Sequence, residues 1–371
     1  MVKLRALRHP EALLFLAAVL YPWLPVFDWI VEATMGMALR FDSQLVNIFI
    51  FAILALALNL QVGYAGLLQL GIAAFFAMGA FTTGVVTVDK YPFQLGFWGA
   101  LLVAPCVAGL AGLALGAPTM RLKGDYLAIV TLGFGEVVRV ILLNLENITD
   151  GSRGLNPLPP PWLPGSWETE IAQWNGGRMQ FLTMYYVSLL LLGVLLVAFR
   201  TVERSRLGRG FVALREDELA CACMGLSVTR IKLIAFAVGA AIAGCAGVLY
   251  ATNLTTTAEP NTYDFNYSVM VLCCVIIGGL GSLRGAVLGA FVLLGFDNIL
   301  SPLLTRFLQD FTDNVSGNVL LSFSNWRWLI FGTVLVLMMR FRPAGLWPAS
   351  RVEAEMLHPT GTPEFEEEGA V

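Results

Sequence analysis

The stretch Val62-Gly-Tyr-Ala-Gly-Leu-Leu-Gln-Leu-Gly-Ile-Ala-Ala-Phe-Phe-Ala-Met-Gly79 decides how this chain must be read. It holds no charge, and Gly63, Gly66, Gly71 and Gly79 interrupt an otherwise apolar run. A glycine costs about 1 kcal/mol relative to alanine inside a helix. In a bilayer that cost is offset where the missing side chain lets neighbouring helices approach closely. The spacing therefore predicts a short re-entrant or discontinuous segment between two membrane spans. Such backbone is tolerated only where protein or a watery cavity surrounds it. Plain helix packing is the simpler account of any one of these glycines. For the block as a whole, a lining or gating role is expected at Gly63, Gly66 and Gly71.

Outward from this block the chain is of the same kind. Of 371 residues 57% are apolar and 13% are charged, with a mean hydropathy of +0.73. The charged fraction is about half that of a soluble domain, which excludes a soluble enzyme, a nucleic-acid binder or a disordered scaffold. The apolar residues fall in blocks of about 20, the length that crosses a hydrocarbon core as a helix. Ten spans are expected, near 11–29, 44–61, 69–87, 95–117, 126–144, 181–199, 233–252, 267–280, 285–303 and 327–345. The fold class is thus an all-α polytopic bundle with some discontinuous helices. The first block follows a basic segment, Lys3, Arg5 and Arg8, but is long and lacks a small-residue cleavage site, so it reads as a retained span.

Charge sets the orientation. With ten spans and the N-terminus inside, 16 of the 23 basic residues fall on the cytoplasmic side, as the positive-inside rule requires. Arg40, Lys90, Arg153, Arg178, Arg306 and Arg327 fall outside, and Arg139 lies within a span. The expected layout is a cytoplasmic N-terminus over 1–10, a permease domain over 11–345 with a cytoplasmic loop at 200–232, and an acidic, disordered tail over 346–371. Both termini then lie in the cytoplasm. The outer loop 145–180 carries Trp162, Trp167 and Trp174, residues that favour the membrane interface.

Ionisable residues deep in spans are few. Glu136 and Arg139 are three apart on one helix face and can pair. They form either a structural ion pair or a pair beside a translocation path. Asp297 is placed near the outer end of its span. Small residues predict two close helix contacts: Gly244 with Gly247, and a ridge of Gly281, Gly285 and Gly289 repeating every four residues. No metal site is expected, because Cys221 and Cys223 have no nearby histidine and the two histidines lie near the chain ends. No phosphate-binding loop, metalloprotease motif or nucleophile elbow occurs. Catalytic residues are therefore not expected, and transport is the default reading. An ion-coupled secondary transporter and a membrane-embedded enzyme are the rival classes.

The cytoplasmic loop speaks for an external motor. Residues Glu216 to Met224 predict a short helix with Glu216, Asp217 and Glu218 in its first turn, where acids suit the helix dipole. Gly225 supplies the C-terminal stop, with Leu226 after it. The small residues Ala220, Cys221, Ala222 and Cys223 let another surface come close. A helix of this kind suits a plug into a partner's groove, and an ordinary solvated loop helix is the plain alternative.

The segment Glu218-Leu-Ala-Cys-Ala-Cys-Met-Gly225 resembles the Glu-Ala-Ala…Gly coupling motif of ABC importer membrane subunits. It departs from that motif at Leu219 and by one extra residue before Gly225. The wider chain resembles the LivM-type permeases of branched-chain amino acid import. Gly63-Tyr-Ala-Gly-Leu-Leu-Gln-Leu-Gly71, Gly124-Asp-Tyr through Gly-Glu136, Thr149-Asp-Gly-Ser-Arg-Gly-Leu155, Arg230-Ile-Lys-Leu-Ile-Ala-Phe236 and Gly278-Gly-Leu-Gly-Ser-Leu-Arg-Gly285 carry the likeness. The resemblance implies a type II importer bundle in the bacterial inner membrane. It implies a LivH-type permease, two ATP-binding subunits and a periplasmic or lipid-anchored amino acid binding protein as partners. ATP and Mg would sit on the ATP-binding subunits, with no cofactor on this chain. Glu216, Glu218, Ala220, Ala222 and Gly225 would then couple to the motor, and Thr149, Gly151 and Gly154 would form an outer gate or binding-protein dock. Urea and short-chain amide importers belong to the same wider family, and Gly124-Asp-Tyr with Thr131-Leu-Gly-Phe-Gly-Glu136 resembles the amino acid branch.

Overall fold

The computed structural model describes residues 41–119, 122, 124–159, 161, 179–305 and 326–348. The expected span at 11–29, the tryptophan-bearing part of the 145–180 loop and the acidic tail from 349 lie outside the described residues. Helix α1 runs Phe41–Leu58 and continues as a π-helical segment, Asn59–Tyr64. Then come α2, Ile72–Thr87; α3, Gly96–Thr119; α4, Asp125–Asn144; and α5, Met179–Arg204. Two short helices follow, α6, Arg206–Glu216, and α7, Glu218–Cys223. The rest are α8, Val228–Leu254; α9, Phe265–Gly278; α10, Leu283–Gly295, with a π-helical extension Phe296–Leu300; and α11, Arg327–Phe341.

Among the described residues six helices are long and apolar enough to cross a membrane, and α2 and α11 are shorter apolar helices. The expected count of ten is therefore not established. Helix α2 falls short of its expected start because Gln69–Gly71 are irregular rather than helical. Backbone outside a helix survives at such depth only when protein encloses it, and here Ala65, Leu67, Gln69 and Gly71 are buried.

Three helices form the inner core: α1, α8 and the shorter α2, of whose 16 residues 13 are buried. The α1 span is 83% buried and α8 is 67% buried, whereas the spans on α3, α4, α5 and α10 are 22–33% buried. Outward-facing apolar side chains such as Leu102, Leu110, Ile129 and Val197 are exposed, which suits a hydrocarbon surround rather than water. Helix α8 packs on α2 and α3, and glycine is the reason it can. A Cβ on Gly247 would stand 2.3 Å from the Phe76 carbonyl oxygen, and one on Gly244 would stand 2.7 Å from the Ala108 Cβ. These two glycines, three residues apart, lie on one side of α8, Gly247 against α2 and Gly244 where α2 and α3 both approach.

The second expected ridge is corrected. Gly281 is not on a helix: it has φ +79° in the turn between α9 and α10. The ridge consists of Gly285 and Gly289 on α10, which meet the Gly278 and Cys274 carbonyls of α9. A period of four residues placed Gly281 on the same line, but the α9–α10 turn interrupts the helix that would continue it.

Candidate functional site

Three regions hold the residues singled out from the sequence. The first lies at the end of the bundle that carries α6 and α7. Asp217 has extended backbone, φ −154° and ψ 115°, and its carboxylate accepts from the Leu219 and Ala220 amides. It is therefore an N-cap. This corrects the expected helix 216–224. Glu216 is the last residue of α6, and α7 opens at Glu218. At the other end Gly225 has φ +80°. The Leu226 amide donates to Cys221 O and the Gly225 amide to Ala222 O, the double closure that a left-handed glycine makes possible.

Helix α7 is thus clamped at both ends. Cys221 is buried and the Glu218 carboxylate meets the Lys232 ammonium at 2.8 Å. Ala220, Ala222 and Gly225 are exposed, flanked by Leu219 and Met224, which are 72% and 82% exposed. A rigid helix with one face bound to α8 and an apolar, small-residue face turned outward can receive another surface.

Lys232 was not singled out from the sequence. It sits inside α8 with its side chain 4% exposed. Its place at the edge of an apolar block gave no sign of burial. Asn59 and Gln61 in the π-helical segment and Gln69 in the irregular segment after it are also fully buried. Asn59 donates through Nδ2 to Ser282 O at 3.1 Å and accepts the Gly281 amide at 2.9 Å. Gln61 donates weakly to Ala235 O and Phe236 O. Among the described residues neither amide atom of Gln69 has a hydrogen-bond partner.

The second region lies deeper. The Leu70 amide donates to Thr131 Oγ1, and a Cβ on Gly71 would stand 2.2 Å from the Thr131 carbonyl oxygen. Thr131 and Gly135 are about 9 and about 15 Å along α4, so the irregular segment before α2 reaches into the middle of that span. There the Ala73 amide at the start of α2 donates to Ser268 Oγ. A cleft at this point is lined by Leu70, Ala73, Gly135, Glu136, Asp264 and Ser268. It has ≈ 10 Å³ of room, about that of one water, so this conformation is closed to anything larger. Glu136 and Arg139 form the expected pair at 2.8 Å, and Arg139 also donates to Asn261 Oδ1 at 2.6 Å. Their side chains are 38% and 25% exposed. The sequence-selected residues therefore divide: Glu136 lines the cleft, with Gly71 packed beside it on α4 and Arg139 paired to Glu136, while Gly63 and Gly66 lie at the α6 end.

At the opposite end of the bundle Thr149 closes the short turn Glu146–Thr149. Its hydroxyl serves the Leu142 and Leu145 carbonyls and accepts from the Gly151 amide. Gly151 and Gly154 have φ +58° and +64°, and all three residues are buried. They shape the loop; Ser152 and Arg153 are the residues it exposes. Lys90 clasps Asp150 at 2.5 Å, and that hydrogen bond holds the lysine above its ordinary pKa range.

Among the described residues no three metal-ligating side chains converge, and all six cysteines are free. An all-helical bundle with membrane-length spans, broken backbone at mid-depth and a clamped helix at one end defines a polytopic membrane permease. The chain belongs to the family described as branched-chain amino acid transport system / permease component, which matches residues 41–339. It is 39% identical over 321 residues to the high-affinity branched-chain amino acid transport system permease protein LivM of Salmonella typhimurium, covering 83% of this chain and 70% of the relative. The LivM of Escherichia coli matches with the same identity and coverage. The Salmonella typhimurium LivH permease is 22% identical over 274 residues, covering 70% of this chain and 84% of the relative. No solved structure matches the chain.

Proposed function

We propose that this chain is the membrane permease subunit of an ATP-driven importer that moves branched-chain, hydrophobic amino acids from a binding protein to the cytoplasm. The observation that carries the reading is α7, a capped helix held to α8 with an exposed face, in a chain 39% identical to LivM over 83% of its length. Glu218, Ala220, Ala222 and Gly225 receive the ATP-binding subunit, with Glu216 at the hinge before them. ATP and Mg act on two such subunits, and this chain needs no cofactor. A LivH-type permease completes the membrane pair. The chain lies in the bacterial inner membrane with the α7 end and both termini cytoplasmic. The proposed layout keeps 1–10 and the tail from 349 outside the permease domain; the expected boundary at 346 is moved because the Leu346 and Trp347 amides donate to the Ile277 and Gly278 carbonyls of α9.

Substrate passes the cleft between Gly71, Glu136 and Asp264, where the backbone breaks. Closure there and opening on ATP binding give alternating access. The exposed Ser152 and Arg153 meet the binding protein, on a loop whose shape Thr149, Gly151 and Gly154 set.

The test is reconstitution with the partner permease, ATP-binding subunits and binding protein in proteoliposomes. ATP-dependent leucine uptake is expected. Uptake of urea or acetamide in its place, or leucine uptake driven by an ion gradient without ATP, refutes the reading.

A further inference from the structure

Two breaks in the bundle meet at one point. The first is the π-helical end of α1, Asn59–Tyr64, with the irregular segment after it. The second is the turn between α9 and α10, where Gly279 and Gly281 have φ +121° and +79°. They are separated by more than 200 residues in the chain, yet the Asn59 side-chain amide ties them by donating to Ser282 O and accepting from Gly281 N. The approach is close enough that a Cβ on Gly63 would stand 2.5 Å from the Gly281 nitrogen.

One side chain from outside the bundle reaches this junction. The Arg215 guanidinium donates through Nη1 to the Gly63 carbonyl at 2.6 Å. That same Nη1 lies 3.1 Å from where a Cβ on Gly281 would stand. Its Cα, Cβ and Cγ lie 3.0–3.3 Å from the Cβ position of Gly66, which has φ +69°. Arg215 therefore touches both breaks at once, and two of its three contacts are open only because the partner is glycine. A charged donor on a neutral carbonyl is a strong form of hydrogen bond. The carbonyl it takes lies in an irregular stretch of backbone, where a normal helical ladder is interrupted.

Arg215 is also two residues from Asp217, the N-cap of α7. Two residues span at most about 7 Å, so α7 cannot shift far without carrying Arg215 with it. Its other anchor, Glu218 on Lys232, ties α7 to α8, whose Ala235 and Phe236 carbonyls take only the weak 3.4 Å bonds of Gln61 from the first break. Movement of α7 thus has two outlets, one through α8 and a direct one, through Arg215, that touches both breaks.

We propose that Arg215 is the positioning residue that transmits displacement of α7 to the α1–α2 and α9–α10 breaks, so that the two move as one inner gate. This rests on the reading of α7 as the surface that receives the ATP-binding subunit.

The experiment uses the complete reconstituted complex and the variants Arg215→Met and Arg215→Lys. Met keeps an aliphatic stem against Gly66 but cannot donate to Gly63; Lys keeps one charged donor. Leucine uptake and ATP hydrolysis are measured on the same vesicles. Amide hydrogen exchange is followed at 62–68 and 279–284 with and without ATP. In Arg215→Met, ATP hydrolysis continues while uptake per ATP falls about ten-fold or more, the loss expected from deleting a charge-assisted bond. Arg215→Lys is expected to fall between Met and the parent. The ATP-dependent change in exchange, present in both segments of the parent, disappears from both in Arg215→Met. Parental uptake per ATP in an assembled Arg215→Met complex overturns the proposal, as does an exchange response that survives in either segment. Should that variant fail to assemble, Arg215→Lys decides: a loss of coupling supports the proposal and parental coupling overturns it. The underlying reading fails separately, if the parent shows no ATP-driven uptake or if Ala222→Trp leaves uptake unchanged.

Discussion

Replacing Glu218 by glutamine is expected to destabilise the permease more than removing the charge it faces. The Lys232 ammonium is 4% exposed and its carboxylate partner 26% exposed, 2.8 Å apart. Breaking a buried pair from one side costs about 3–5 kcal/mol, because the remaining charge stays in low dielectric. Glu218 is partly reached by solvent, so the expected cost of Glu218→Gln is reduced to about 2 kcal/mol. Lys232→Met removes the buried member instead. The carboxylate left behind can hydrate, and the methionine fills the space of the lysine stem, so a cost under about 1 kcal/mol is expected. The double variant should lie within about 1 kcal/mol of the parent, since it leaves no buried charge. The assay is denaturant titration of the purified protein in mixed micelles, with all four members of the cycle measured under one condition. Equal costs for the two single variants, or strictly additive costs in the double, would refute the account of Lys232 as a buried charge held by Glu218.

The remaining expectations concern packing, the cleft and the motor contact. Gly247→Ala puts a Cβ 2.3 Å from the Phe76 carbonyl oxygen, and should cost about 1–3 kcal/mol as overpacking. Gly133→Ala meets nothing within 4 Å and should be neutral or stabilise by up to about 1 kcal/mol; the same titration compares the two. Glu136→Gln and Arg139→Gln should each change stability by less than about 1 kcal/mol, given their exposure, while slowing initial uptake, with the double variant the more stable of the three. Unchanged uptake in all three variants places the pair outside the path. Ala222→Trp should abolish ATP-driven uptake with normal membrane insertion, checked by transport and fractionation on the same cells.

Helix positions were legible because they rest on composition. A run of apolar residues long enough to cross a bilayer has one economical structure, and α1, α3, α4, α5, α8 and α10 lie where hydropathy places them. The break at 65–71 was legible in kind because four glycines interrupt the run. The start of α7 was not, since Arg206 to Cys223 carries no residue that forbids a continuous helix. Asp217 ends one helix and caps the next through its own backbone angles, and only the folded chain selects them over the helical ones. Lys232 was passed over for a related reason. A lysine at the margin of an apolar block reads as solvated, and its burial depends on where α7 is laid against α8.

What the sequence by itself determined is everything governed by short-range counting: the membrane setting, the helix spacing, the glycine faces of α8 and α10, and the Glu136–Arg139 pair three residues apart. Only the tertiary structure decided which distant residues share a point in space. Gly63 and Arg215 are 152 residues apart and Asn59 and Ser282 are 223 apart. The physical reason is that a hydrogen bond to a backbone carbonyl leaves no mark on the residue that owns the carbonyl. Any residue offers that oxygen, so the partner of Arg215 is set by how the helices pack and by nothing in the local sequence around it.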